Sequence, residues 1–287
     1  GLKNYNFIKN RIFLKMNYYK KNQVEDLSKY HFAFINVEEN NNVFKITLNR
    51  PEKKNALHPQ MINEIAFAMH HAHFKKSIWI VLFESTGSVF CSGADLKAMI
   101  GQIEPNNSTI PQPEKDVLIG ELFNTIYKPT IAVVNKDVYA GGFLILAGCL
   151  FVVANKELKF SLPEVKRGLF PMQVMASLIK IMPQRKVLDW CVRGYSLSAN
   201  EANSLGLISH ITTEDKIHIT TAKLIEELKE NSPTAIRLGL EAFNYISNSN
   251  NDHDYLYKML KKAQESNDGI EGLMAFKEKR KPNWKGN

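Results

Sequence analysis

The residues Ala140-Gly141-Gly142 stand between two apolar runs. Thr130–Val134 before them reads as a buried strand, and Gly142–Gly148 after them as an apolar helix. Glycine at such a junction lets the backbone come close to a ligand. The first N–H groups of a helix have no partner inside it, and the helix dipole favours negative charge there. A carbonyl oxygen that turns into an oxyanion suits such a place. Alone, a Gly-Gly pair before a helix is more often a mark of tight packing. Two further stretches have the same plan. Phe90-Cys91-Ser92-Gly93-Ala94-Asp95-Leu96 comes after the apolar run Ile78–Phe83, and Phe160-Ser161-Leu162-Pro163-Glu164-Val165 comes after Leu150–Ala154. Glu164 adds a carboxylate, a group able to take a proton and return it. By itself it is more readily a helix cap or half of an ion pair after Pro163.

Taken in order, F-C-S-G-A-D-L, A-G-G and F-S-L-P-E-V resemble the enoyl-CoA hydratase/isomerase (crotonase) superfamily. The resemblance runs from about Phe34 to Lys285. It includes Leu48-Asn49-Arg50-Pro51 with Asn55-Ala56-Leu57, Leu197-Ser198-Ala199 with Glu201-Ala202, Gly206-Leu207-Ile208, and Ala275-Phe276-Lys277-Glu278-Lys279-Arg280. The fold it implies is α/β, a crotonase-like spiral of repeated β-β-α turns with a helical C-terminal trimerisation region. Motif by motif, it implies a thioester carbonyl held between the N–H groups of Ala94 and Gly141, with Glu164 moving the proton. Substrate contacts are implied at Ala56, Ser92, Lys97, Gly142, Leu144, Phe276 and Lys279, with Lys279 at the coenzyme A phosphates and Phe276 near the acyl tail. Hydratases of the superfamily use two glutamates, and the first falls on Leu144. Leucine can neither hold a water nor exchange a proton, so the resemblance points to an enoyl-CoA enzyme with one glutamate, tilted towards isomerisation. The rival is a non-catalytic acyl-CoA-binding or assembly homologue that has lost one carboxylate. Asp95 reads as a structural acid in a first helical turn. No spacing selects Asp116, Glu121 or Asp137 as a replacement carboxylate.

The chain has 287 residues, enough for one large α/β domain with a small appendage. Its formal charge is +8. Six of those charges lie in residues 1–24, as Lys3, Lys9, Arg11, Lys15, Lys20 and Lys21, with no acid among them. The body is nearly neutral, which argues against a nucleic-acid partner. No apolar stretch reaches the roughly 20 residues of a membrane span. Cys91, Cys149 and Cys191 are widely spaced and read as small buried apolar residues rather than as a disulfide or zinc framework. No G-x-S-x-G occurs to support serine hydrolysis. The expected partners are an acyl-CoA thioester and further copies of the chain, as a trimer or a dimer of trimers. Neither a metal nor a separate cofactor is expected, because coenzyme A belongs to the substrate.

The elements around the motifs are read from periodicity. Residues 1–30 are expected to stand outside the fold as a disordered extension; Met16 is a candidate start. A cytoplasmic location is expected, with an organelle presequence over 1–24 left open. Residues 31–210 should form the spiral core and 211–287 the helical region. A hairpin is predicted over Phe32–Leu48 and an amphipathic helix over Pro59–His73, with His70, His71 and His73 as cations at its end. Glu104–Pro113, rich in proline and asparagine, reads as a mobile loop, and the resemblance makes it part of the acyl pocket. Helices are predicted over Lys115–Tyr127, Val174–Met182, Gln184–Arg193, Ala199–Leu205, Lys216–Asn231, Pro233–Ser247, Tyr255–Asn267 and Ile270–Lys279. The apolar Ile270, Leu273, Met274 and Phe276 suggest a self-association face.

Overall fold

The computed structural model describes residues 18–231, 233–247, 257, 260–261 and 264–282. Strands β1 (Ile35–Asn40) and β2 (Val43–Leu48) form the expected hairpin. Its turn residues Asn41 and Asn42 are both left-handed, with φ 48° and 68°, a twist that matches the strands and that asparagine tolerates. From β2 onward the main sheet is parallel. Its order is β1-β2-β3-β4-β6-β9, with β3 at Ile80–Ser85, β4 at Thr130–Val134, β6 at Phe151–Asn155 and β9 at His210–Thr212. All five residues of β4 are buried, as a strand covered on both faces requires. A smaller sheet holds β5 (Val138–Tyr139), β7 (Lys159–Ser161) and β8 (Ser196–Ser198).

The helices are α1 (Pro59–Phe74), α2 (Leu96–Met99), α3 (Ile119–Leu122), α4 (Phe143–Gly148), α5 (Met172–Leu178), α6 (Gln184–Arg193), α7 (Ala199–Ser204), α8 (Ile217–Lys229), α9 (Pro233–Ser247) and α10 (Asn267–Lys277). The chain visits the large sheet, then the small one, then a helix. The pattern is β4, β5, α4; then β6, β7 and a one-turn 3-10 segment at Glu164–Arg167. An isolated parallel bridge from Cys91 to Val138 adds an earlier turn of the same kind, β3, Cys91, α2. This is the spiral of β-β-α turns.

Several expectations need correction. The segment beginning at Tyr18 is part of the fold. Tyr18, Tyr19 and Val24 are buried in the main core, and the Tyr19 ring stands edge-on to Phe67 of α1 with centroids 4.9 Å apart. The rest of the expected extension, residues 1–17, lies outside the described residues, as do positions 255, 256, 258, 259, 262 and 263 of the helix expected over Tyr255–Asn267. The helix expected over Lys115–Tyr127 is only α3 and a 3-10 turn at Phe123–Thr125. Glu64, buried on α1, accepts the N–H groups of Ala33 (2.6 Å) and Phe34 (2.8 Å) and so docks the start of the hairpin on the helix.

The histidines near the end of α1 are not cations. His70 and His71 are buried, and burial lowers the pKa of His70 to about 4, lowers that of His71 and brings His73 to about 3. The ring of His70 meets the Ala66 carbonyl through Nδ1 (2.9 Å) and accepts the Tyr18 N–H at Nε2 (3.3 Å). That pattern needs a neutral ring with its proton on Nδ1. An unfolded histidine titrates near 6.5, so the unfolded chain gains a proton that the folded one refuses. Stability contributed by neutral His70 is complete above that value and is lost as pH falls from about 6.5 towards 4. The loss for His70 alone between pH 7 and pH 5 is about 2 kcal/mol. Denaturant midpoints measured at both pH values should show the wild type losing that much more than His70→Gln; parallel losses would refute the assignment.

Helix α10 lies against the Glu164–Arg167 turn with no room between their backbones. A Cβ on Gly272 would sit 1.7 Å from the Arg167 carbonyl oxygen, whereas one on Gly239 in α9 meets nothing within 4 Å. Gly272→Ala should therefore lift α10 and cost about 1–3 kcal/mol. Gly239→Ala should stabilise by about 0.5–1 kcal/mol through helix propensity. Thermal unfolding of the two variants checks the contrast, and equal midpoints would show that α10 does not dock this closely.

Candidate active site

The register of the small sheet assembles the site. Cys91 pairs with Val138 and Val138 with Phe160, all parallel. The link between the first two is made by Tyr139 N–H to Cys91 O and Phe90 N–H to Asp137 O, each 3.0 Å. Three residues beyond Cys91 is Ala94, and three beyond Val138 is Gly141. The parallel pairing therefore carries these two amides to the same level on adjacent turns. Gly93 has φ 97°, and a Cβ there would lie 2.6 Å from the Ala140 Cβ and 3.0 Å from the Gly141 nitrogen. Only glycine allows both the angle and the approach. A Cβ on Gly141 would be 3.4 Å from the Ala94 nitrogen. Ala140 is left-handed with φ 51°, which costs energy in a residue other than glycine and turns the next amide out of the strand direction. Neither the Ala94 nor the Gly141 N–H donates to a protein acceptor among the described residues.

Ala94 is held from behind by a buried cation. Arg50, 2% exposed, donates through Nη1 to Asp95 (2.8 Å) and to the Ala56 carbonyl (3.1 Å), and through Nη2 to Glu104 (2.5 Å). Asp95 also accepts the N–H groups of Lys97 (3.0 Å) and Ala98 (3.2 Å), which makes it the N-cap of α2. Burial would raise its pKa, yet the Arg50 hydrogen bond and the capped amides hold it below the ordinary value. Asp95 is thus the structural acid that its place in the motif suggested.

Glu164 opens the 3-10 turn after β7. The residue is half-buried, but its Oε2 is shut off from solvent and has no hydrogen-bond partner. Burial raises its pKa to about 7, against small opposing effects of its own backbone N–H and of Arg167. Ser92, Ala94, Gly141, Leu144 and Glu164 all line one cavity of about 310 Å³. The rest of its wall is mainly apolar, with Leu57, Ile62, Met99, Val117, Leu169 and Val174 among the lining residues. Leu144 occupies the second position of α4, just after the Ala140–Gly142 turn, so no carboxylate enters the cavity from there. Asp116, Glu121 and Asp137 do not line the cavity. Asp137 instead accepts the Lys159 N–H at 2.9 Å. The lining carboxylates among the described residues are Asp95 and Glu164.

Other candidate positions lie elsewhere. Gly142 is buried against Cys91 and Val138, where a Cβ would sit 3.0 Å from either side chain. Lys97 and Lys279 are exposed and do not line the cavity, nor does Ala56, whose carbonyl serves Arg50. Phe276 stands outside the lining too, stacked on the Arg167 guanidinium at 4.8 Å. Glu104–Pro113 does not line the cavity and is tied down. Glu104 pairs with Arg50, the Glu104 carbonyl meets His58 Nε2 (2.8 Å), and Thr109 bonds His31 in both directions. The outer wall comes instead from Met99 and Val117–Gly120. Sequence reasoning missed Arg167, which lines the cavity. The signal was present: in a 3-10 turn residues i and i+3 eclipse, so Glu164 and Arg167 share a face. The cysteines are buried and their thiols are pushed up in pKa, to about 12 for Cys91 and Cys191, which makes them inert packing residues.

No helix among the described residues is long and apolar enough to cross a membrane. The chain is similar to a mevalonyl-coenzyme A hydratase of Aspergillus fumigatus, 29% identical over 251 residues that span 85% of this chain and 91% of that protein. It is 28% identical over 258 residues to a probable mitochondrial enoyl-CoA hydratase of Dictyostelium discoideum, covering 88% and 91%. The crystal structure of a carnitinyl-CoA hydratase from Mycobacterium avium superposes with a TM-score of 0.76 at 26% identity, over 90% of this chain and all of that one. A family model described as enoyl-CoA hydratase/isomerase matches residues 38–287. Sequence and fold agree: the chain belongs to the enoyl-CoA hydratase/isomerase family, with the crotonase fold.

Proposed function

We propose that the protein moves a proton between carbons of an enoyl-CoA through one carboxylate, Glu164. The observation that carries this reading is the buried, unpartnered Glu164 Oε2 in the same cavity as the free Ala94 and Gly141 amides, with Leu144 where a second carboxylate would stand. The thioester carbonyl accepts both N–H groups, which stabilise the enolate formed when Glu164 removes a proton from the acyl chain. Protonated Glu164 then returns it to another carbon of the conjugated system. A pKa near 7 serves both halves, since base and acid forms are each well populated at neutral pH. Addition of water asks for a second group to hold the water. Leu144 has none, and Asp95 is committed to Arg50 and to the start of α2. Ser92 contributes a hydroxyl to the cavity wall. The exposed Lys97 and Lys279 are the proposed partners of the coenzyme A phosphates, with Ala56 and Gly142 behind the donors and Phe276 at the rim. Exposed Ile270, Met274 and Phe276 support self-association into a trimer or a dimer of trimers. The rival reading, an acyl-CoA-binding homologue without activity, is supported only by Leu144 and leaves a strained oxyanion turn and a dry carboxylate without a use.

Glu164→Gln keeps the shape and loses the base. Conversion of a 3-enoyl-CoA, tracked by the absorbance of the conjugated thioester, should fall about 10²–10⁴-fold while ester binding survives. In the wild type kcat/KM should rise with pH through a limb near 7, as Glu164 ionises. Full turnover by Glu164→Gln would place the proton carrier elsewhere. Leu144→Glu should introduce hydration of crotonyl-CoA, because a second carboxylate can hold the water, and should lower the melting temperature, because a charge enters an apolar wall. A variant that folds and still adds no water would mean that position 144 does not face the reacting carbon.

A further inference from the structure

Arg167 has no use in that proton transfer. It sits three residues after Glu164 on the same face of a single 3-10 turn and lines the same mainly apolar cavity. Its guanidinium carbon lies over the Phe276 ring of α10, 4.8 Å from the centroid. It makes no hydrogen bond or ion pair with an anion among the described residues; Glu164 acts on it only at a distance. The turn itself cannot shift to carry the side chain away, because Gly272 of α10 presses on the Arg167 carbonyl. A half-buried guanidinium over an aromatic face, with no anion paired to it in a mainly apolar wall, is a costly arrangement unless an anion completes it. Guanidinium binds carboxylate with a matching two-point geometry. Among the described residues the other acid in the wall, Asp95, is already taken by Arg50 at 2.8 Å, and a carboxylate carried by the ligand is the partner that fits.

We propose that Arg167 makes this cavity selective for an acyl group that itself carries a carboxylate, and that the protein acts on a carboxylated enoyl-CoA. This rests on the reading of the cavity as an acyl-CoA site. In that arrangement the thioester end is held at Ala94 and Gly141, and the acyl carboxylate is held by Arg167 across the reacting carbons from the oxyanion turn. Arg167 is then a specificity determinant rather than a proton carrier.

Saturated esters separate binding from chemistry. Titration calorimetry on the full chain with glutaryl-CoA, pentanoyl-CoA and 5-hydroxypentanoyl-CoA compares a terminal carboxylate, methyl and hydroxyl on similar chains. Wild type should bind glutaryl-CoA at least about tenfold more tightly than either of the others, as one charge-assisted contact allows. Arg167→Leu should bring the glutaryl-to-pentanoyl ratio to one or below, and Arg167→Lys should keep part of it. Equal affinity of the wild type for glutaryl-CoA and pentanoyl-CoA overturns the proposal without any variant. So does equal affinity for the hydroxyl and carboxyl esters, or a loss in Arg167→Leu shared equally by all three, which would assign the guanidinium to coenzyme A or to Glu164. A preserved preference with no turnover of any enoyl-CoA would sink the proton-transfer reading and leave this one standing. Failure of all three esters to bind would remove both.

Discussion

The parallel register Cys91–Val138–Phe160 is the constraint on which the site depends. Each of these residues lies in the small-sheet step of one spiral turn. Residues a few positions beyond each, three for Ala94 and Gly141 and four for Glu164, are therefore brought close to one another. Ala94, Gly141 and Glu164 come from separate segments, yet no long-range side-chain contact is needed to bring them together. Backbone pairing does it. A slip of one residue at Cys91–Val138 would turn every side chain of the strand to its other face and would separate the two amides. The glycines serve this register. Gly93 lets one turn lie against Ala140, and Gly141 lies close to Ala94. The strain at Ala140 is stored just before the Gly141 amide.

Around that register, the fold adds supports from distant parts of the chain. Arg50, at the end of the hairpin, is joined to Asp95 and Glu104 and so ties the second strand to the first donor turn and to the loop beyond it. A buried ion pair of this kind contributes little net stability, but losing one partner leaves a buried charge that costs about 3–5 kcal/mol. Its value here lies in fixing position. The Glu164 turn is held differently, by the close backbone approach at Gly272 and the stack of Phe276 on Arg167. The first donor is thus set by electrostatics and the carboxylate by packing, and the two supports share no residue.

The legible part of the fold was the part written in short-range pattern. β4 appeared as an unbroken apolar run, α6 and α9 have the predicted ends, and the three motif turns stand where their glycines and prolines put them. The failures depended on distant partners. Nothing in the acid-free sequence around Tyr18 and Tyr19 shows a period, because their burial is decided by His70 and Phe67 roughly fifty residues on. The same contacts bury the histidines and strip them of charge, so a helix-dipole argument for cations fails. Glu104–Pro113 has the composition of a mobile loop, but Arg50, His58 and His31 each hold it. Lys115–Leu118 has helical periodicity, yet the Tyr18 hydroxyl meets the Leu118 backbone, and Val117 and Leu118 are used instead as cavity wall. Within the site, the meeting of Ala94, Gly141 and Glu164 on one cavity follows the order of the motifs. Arg167 was not readable there, because a single arginine in a basic stretch looks like surface charge until the 3-10 turn sets its direction.

Burial at Glu164 has a thermodynamic consequence that bears on the proposed proton transfer. Its folded pKa, near 7, lies above the ordinary carboxylate value, so folding favours the protonated form. The sign is opposite to that of His70: Glu164 lowers stability progressively as pH rises from about 4.5 to 7. The fold therefore carries an unfavourable ionised carboxylate at neutral pH, and no hydrogen bond at Oε2 relieves it. A second carboxylate in place of Leu144 would couple to the first and split their titrations, leaving one group largely ionised and the other largely protonated. With leucine there, the single group stays balanced between its two forms. The apolar wall that offers a water no anchor at Leu144 is the same wall whose burial raises Glu164, and the proposed transfer of a proton between carbons depends on both.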